Sequence, residues 1–223
     1  MKIYSERIYV PEGVIQGTIT VSDGKITAIE KGIKDADAID YGTNRIIPGI
    51  FDTHNHGTCG FDPANGQHLD KEQAKQQVRG YLKGLASQGV TSIFPTVVES
   101  DALSNIAEVA EEHEAIGAEI LGIHSEGPWL NRVGEKGIRT GWPEISVEKA
   151  EKMVSDSKGW LKLVAIAPEI PGAYEVIEYF LSQGITVAAA HSDNHYKEAM
   201  EGYAKGISVA THLGNVMTDI HHR

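Results

Sequence analysis

Arg45-Ile46-Ile47-Pro48-Gly49-Ile50-Phe51-Asp52-Thr53-His54-Asn55-His56-Gly57 is the stretch on which the fold turns. Its apolar run ends in two histidines at i and i+2. On a β-strand both rings project from one face, and two neutral imidazoles converging on one point make half of a transition-metal site. An ordinary loop with two partly exposed histidines is the plain alternative, so the rest of the chain has to decide.

Working outward, residues 46–52, 91–98, 120–124, 161–167, 186–190 and 207–211 form strand-like apolar runs. Between them, residues 71–87, 101–115, 146–156, 174–183 and 195–204 have helical spacing, with Gly89, Gly117, Gly184 and Gly206 as C-terminal stops. Repeated βα units with nearly continuous apolar strands predict a parallel sheet covered on both faces, either doubly wound or a β/α barrel. The unusual polar residues separate these options. His54 and His56 follow the first run, Glu126 the third, Glu169 the fourth, His191 the fifth and His212 the sixth. In a barrel the C-terminal strand ends surround one mouth, where barrel active sites lie, whereas in an open sheet they spread along a line. Convergence therefore predicts an incomplete (β/α)8 TIM barrel of about six βα units over residues 46–223.

Residues 1–45 read differently, as short alternating strands (Ile3-Tyr4, Arg7 to Val10, Gly17 to Val21, Lys25 to Ile29) separated by Pro11-Glu12-Gly13 and Asp23-Gly24. This predicts the first part of a small β-sandwich. The formal charge of -11 disfavours nucleic acid or an anionic membrane as partner. A single cysteine, Cys59, and an N-terminus without an apolar leader point to the cytoplasm. No apolar run reaches the roughly 20 residues of a membrane helix.

Four histidines and one glutamate suit two closely spaced divalent ions, with Glu126 able to bridge them. Bound metal would bring the pKa of a water towards neutrality. Imidazole and carboxylate accept zinc, iron, cobalt or manganese, so the metal's identity stays open.

The motifs then meet a family. Residues 48–57 resemble the opening motif of the amidohydrolase superfamily, and His124-Ser125-Glu126-Gly127-Pro128-Trp129 resembles the His-x-Glu-Gly-Pro signature of the N-acetylglucosamine-6-phosphate deacetylases. Ala167-Pro168-Glu169, Ala190-His191-Ser192-Asp193 and Thr211-His212-Leu213-Gly214-Asn215-Val216-Met217 look like that family's later motifs, in its order. The resemblance implies hydrolysis of an N-acetyl amino sugar 6-phosphate to acetate and the free amino sugar phosphate. It implies Glu126, His191 and His212 as principal metal ligands, with His54 and His56 holding a second ion. Asn215, the backbone at Val216, and Arg223 match positions that hold the sugar phosphate, Arg223 in some members acting across a subunit boundary, which implies a homo-oligomer such as a dimer.

Three departures qualify that picture. Lys136-Gly137-Ile138-Arg139 stands where members usually read Lys-Gly-Ala-His, so Ile138 and Arg139 occupy substrate-contacting positions with changed chemistry. Gly214 replaces a usual aromatic, and both changes could favour a galactosamine epimer. The family's general acid/base Asp is expected beyond Arg223, and so are the last barrel strands. The chain is thus expected to be the N-terminal part of a longer enzyme, with an exposed sheet edge at its sixth strand that an oligomer could cover. The alternatives are another amidohydrolase, acting on a cyclic amide or aminoacyl bond, and an inactive metal-binding fragment.

Overall fold

The computed structural model describes residues 1–64, 69–97, 101–131 and 144–217. The chain divides into two compact units, Met1–Gly49 and Ile50–Arg223.

The first unit is a five-stranded mixed sheet. Strands β1 (Lys2–Val10), β2 (Gly13–Ser22) and β3 (Lys25–Lys31) run antiparallel, while β4 (Ile39–Asp40) and β5 (Arg45–Ile46) each pair with β1 in parallel. The two short strands expected at residues 3–4 and 7–10 are one strand with an irregular register between Ser5 and Ile8. The β2–β3 turn has positive φ at both Asp23 (50°) and Gly24 (73°), the backbone of a tight type I′ hairpin. Tyr4, Ile8 and Ile19 are its buried apolar side chains. Thr18 is buried too, and its hydroxyl donates to the Ile33 carbonyl at 2.8 Å. Among the described residues this unit supplies one sheet.

The apolar run at residues 46–52 is not continuous. Pro48-Gly49 divides it, so Arg45–Ile46 completes the first sheet and β6 (Ile50–Asn55) opens the second. Proline has no N–H to give to a ladder, which is why the strand breaks there.

In the second unit β6 is followed by α1 (Lys71–Ser87), β7 (Val90–Val97), α2 (Asp101–Glu111), β8 (Glu119–Ile120), β9 (Ile123–Glu126), α3 (Val147–Asp156), β10 (Leu161–Ile166), α4 (Ala173–Ser182), β11 (Thr186–Ala189), α5 (Tyr196–Ala204) and β12 (Val209–Ala210). The sheet is parallel, in the order β6-β7-β9-β10-β11-β12, with β8 beside β7. Side chains alternate across it as strand pleating requires. Val164, Ile166 and Val187 join the large core beneath the helices, with Tyr81, Leu85, Ile106 and Phe180, whereas Leu163, Ala165, Ala188 and Ala190 form a small cluster on the other face.

The sheet is curled. Six strands spaced about 4.8 Å apart would put the outer pair roughly 24 Å apart if flat. Yet the rings of His54, at the end of β6, and His212, just after β12, lie 5.6 Å apart between centroids. This is a parallel half-barrel of six strands, and an open doubly wound sheet is ruled out. Beyond β12, which pairs only with β11 among the described residues, Val209 and Leu213 are exposed.

Local signals set most helix ends. Asp70 caps α1 by accepting from the Gln73 N–H, with the reciprocal bond from Asp70 N–H to the Gln73 side chain. Gly89, Gly184 and Gly206 take positive φ after α1, α4 and α5. Helix α2 differs from its expected span, ending at Glu111, with His113 in the left-handed region (φ 51°). Gly117 serves close packing instead, since a Cβ there would lie 2.3 Å from the Leu82 carbonyl oxygen.

Candidate metal centre

Strand β6 delivers the first half of the centre. His54 lies in the strand and His56 just beyond it, and their Nε2 atoms are 3.2 Å apart. Backbone contacts on either side fix this end. The Asn55 N–H donates to Thr96 Oγ1 on β7 at 3.0 Å, and the Tyr81 hydroxyl of α1 donates to the Asn55 carbonyl at 3.1 Å. The His54 N–H donates to Asp52 Oδ1, and the Gly57 N–H to Asn55 Oδ1. Neither histidine has positive φ.

Glu126, at the end of β9, occupies the middle. It is 5% exposed, and its two oxygens face in different directions. Oε2 lies 2.8 Å from His56 Nε2 and 3.3 Å from His54 Nε2. Oε1 lies 3.0 Å from His191 Nε2 and 2.9 Å from His212 Nε2. Burial acts to raise this carboxyl, but hydrogen bonds from His191, His54, His56 and His212 outweigh it and hold it well below the usual carboxylate range. The reciprocal bond raises His56 above its usual value, against its partial burial.

Loops after β11 and β12 deliver the other half. His191 and His212 both take left-handed backbone, with φ of 48° and 30°. For residues with a Cβ such conformations cost about 1–3 kcal/mol each, and they persist only where the surroundings enforce them. Around His191 the enforcement is visible. The Asn131 N–H donates to the His191 carbonyl at 3.0 Å, and Glu169 accepts from Asn131 Nδ2 (2.8 Å), Ser192 Oγ (2.9 Å) and the Asp193 N–H (2.5 Å). His212 has its Nδ1 3.2 Å from the Asn215 carbonyl oxygen. With the proton on Nδ1 bonded there, Nε2 would offer its lone pair to an ion, in place of the hydrogen bond that it makes to Glu126 Oε1.

Two sets of three donors therefore share one carboxylate: His54, His56 and Glu126, and Glu126, His191 and His212, the ligand atoms of each lying within 4.8 Å of one another. The donor chemistry fits a divalent transition ion. The Nε2 atoms of His54 and His56 lie 3.2 Å apart, and with their protons on Nδ1 both rings would turn a lone pair towards one cation. With N and O donors and no sulfur, zinc, iron, cobalt and manganese all remain suitable.

All five expected ligands thus come together. Asn215 and Val216 lie in the loop that carries His212, and Val216 has φ 51°, unusual for a β-branched residue. Ile138, Arg139 and Arg223 lie outside the described residues. Glu169 stands at a strand end as expected but belongs to neither donor set, because its oxygens are taken up behind His191. Sequence reading gave no role to Thr96, Tyr81 or Asn131, which hold the ligands from behind. It placed His124 in the His-x-Glu-Gly-Pro motif but gave it no role; the residue is 1% exposed, and its ring packs edge-on to His54 with centroids 4.8 Å apart. Burial, helped by nearby His54, pushes His124 down to about 3, so it is neutral at ordinary pH. Its place two residues before Glu126, on the same strand face, was the available signal.

Residues 45–222 match the amidohydrolase family. The chain is 35% identical over 214 residues to an N-acetylglucosamine-6-phosphate deacetylase of Vibrio furnissii, covering 92% of this chain and 52% of the relative. It is 27% identical to an N-acetylgalactosamine-6-phosphate deacetylase of Escherichia coli O157:H7, covering 98% of this chain and 58% of the relative. The chain spans about half the length of the curated relatives it matches. In fold it is similar to the crystal structure of N-acetyl-D-glucosamine-6-phosphate deacetylase from Mycobacterium smegmatis, with TM-score 0.80 and 22% identity, over 100% of this chain and 63% of that one. With the family match reaching from the end of the first sheet through both donor sets, the chain belongs to the amidohydrolase family.

Proposed function

We propose that this chain carries the metal-binding part of a deacetylase that hydrolyses N-acetylglucosamine 6-phosphate to acetate and glucosamine 6-phosphate. The observation that carries the reading is the shared Glu126 carboxylate with two imidazoles on each oxygen. Relatives named for this reaction support the substrate. His54, His56, Glu126, His191 and His212 would hold one or two divalent ions, which when bound supply an activated water and a polarised amide carbonyl.

The chain's own residues then have distinct tasks. Thr96 and Tyr81 orient the His54–His56 end, and the Asn215 carbonyl fixes the His212 tautomer. Asn215, the Val216 backbone, Arg223, Ile138 and Arg139 would meet the sugar phosphate. The left-handed Val216 supports this, since strain at a backbone position commonly accompanies a binding role. Arg223 would pair with phosphate through its guanidinium fork. An Asp downstream of Arg223 would carry the proton from water to the leaving amine. In this reading the first sheet is one layer of a small sandwich, the assembly is a dimer and the compartment is the cytoplasm. The described helices include none long and apolar enough to cross a membrane.

A second reading has one observation in its favour. Gly214 lines an apolar cavity of about 310 Å³ with Leu213, Met217 and Asn194. With no side chain there, the sugar site could differ and accept the galactosamine epimer. Acetate release from both sugar phosphates, with a cyclic imide as control, tests the proposal on this chain and on a version extended to the relatives' length. Preferential turnover of either sugar phosphate supports deacetylation and decides the epimer. A metal-loaded extended protein that releases acetate from neither overturns it.

A further inference from the structure

His191 and His212 are both held in left-handed backbone, but the structure surrounds them differently. Behind His191 lies a carboxylate that belongs to neither donor set. Glu169 Oε1 accepts from Asn131 Nδ2 and from the Asp193 N–H, and Oε2 accepts from Ser192 Oγ. Asn131 and Ser192 are buried, at 9% and 6% exposure. These bonds enclose His191. Asn131 also holds its carbonyl through the backbone N–H, and Ser192 and Asp193 are the next two residues. Ser192 Oγ accepts in turn from the Asn194 N–H at 3.1 Å, which continues the bonding along the loop towards α5. Before the loop, the Ala190 N–H donates to the Ile166 carbonyl, so the strand side of His191 is anchored to β10, the strand that leads to Glu169.

We infer that Glu169 is a positioning residue for the second donor set: its carboxylate holds the 191–193 loop in the left-handed turn that presents His191 Nε2 to Glu126. The inference rests on the metal-site reading, and it concerns the one conspicuous strand-end acid that the donor sets leave unused. Without the carboxylate, the Asp193 N–H and the Asn131 amide lose their acceptor, and His191 is free to relax towards an ordinary backbone conformation. Loss of a group that orients a metal-bound histidine typically lowers metal affinity about 10- to 100-fold.

The test is cobalt(II) titration of the whole chain, followed by visible absorption and by elemental counting of bound ions. In Glu169→Ala the ion held by Glu126, His191 and His212 should bind about 10- to 100-fold more weakly with an altered spectrum, while the ion at His54 and His56 keeps its affinity. Glu169→Gln should restore most of the affinity, because its amide oxygen still accepts from Asn131 and Asp193 while the Ser192 hydroxyl can turn to accept. A general loss of fold would weaken both ions alike and would not show that rescue. Wild-type affinity and spectrum in a folded Glu169→Ala overturns the inference. If Glu169→Ala does not fold, Asn131→Ala decides: selective weakening of the second ion supports the inference, and an unchanged titration overturns it. A wild-type chain that binds no cobalt would instead sink the metal-site reading.

Discussion

His54 and His56 reach Glu126 from the end of a strand, with no positive φ, whereas His191 and His212 reach it from loops in left-handed backbone. The first pair is steered by backbone bonds from neighbouring elements, Thr96 on β7 and Tyr81 on α1. Around His191, side chains of the loops themselves do the steering, gathered by Glu169. The alternation of the strand, carried one residue past β6 and held by these bonds, brings the first two rings together. The second two converge only because the sheet curls and their loops are held against their backbone preference. The two halves should therefore fail separately, the first through its strand contacts and the second through its loops.

The largest expected effect removes what they share. Glu126→Ala takes one donor from each set and should abolish stoichiometric binding of zinc or cobalt, read by elemental analysis after dialysis. Retention of two ions would break the assignment of Glu126 as the common ligand. A smaller effect separates the halves. His54→Ala and His191→Ala should each cost the ion of their own set and leave the other, which isothermal titration would record as one lost binding event. Loss of both events in either variant would show the halves to be one unit.

Next comes the support of the first half. Thr96 is fully buried, and Thr96→Val leaves the Asn55 N–H without its acceptor, at a cost of about 1–3 kcal/mol measured by denaturant unfolding. Metal binding at His191 and His212 should be unaffected. The smallest effect is on pH. Helix α1, which carries Tyr81, is tied by Lys75 and Arg79 to Glu112, the residue just after α2. The hydrogen bond from Lys75, and then Arg79, lowers the Glu112 carboxyl below its ordinary 4.5. A depressed folded-state value means stability that is present above about 4.5 and lost as pH falls through the folded value. Melting temperature should thus fall below pH 4.5, and fall less steeply in Glu112→Gln. Ion pairs at the surface, even partly covered ones such as these, contribute about 1 kcal/mol.

The same contrast explains what the sequence made legible. The i, i+2 spacing of His54 and His56 is a local signal, since pleating turns it directly into a shared face. The strand ends bearing Glu126, His191 and His212 were readable because apolar runs and glycine stops mark βα units. Sequence reading named Glu126, and not Glu169, as the acid of the centre, but what Glu169 does instead was not readable. Only the placement of Asn131 and Ser192 assigns Glu169 to the loop behind His191. Register and breaks were also lost where tertiary pairing decided them, as at Pro48-Gly49, where one apolar run serves two sheets. The end of α2 was misplaced because His113, and not the more obvious Gly117, takes the left-handed turn.

Glu126 has a consequence for charge as well. It is the single acid among the five candidate ligands, and one carboxylate cannot neutralise even one divalent ion. An occupied centre would be a positive spot in a chain whose formal charge is -11. Positive potential focused at the mouth of a half-barrel attracts anions from solution and repels cations. The donor set would thus favour an anion at the approach, and that preference should fade as added salt screens the field.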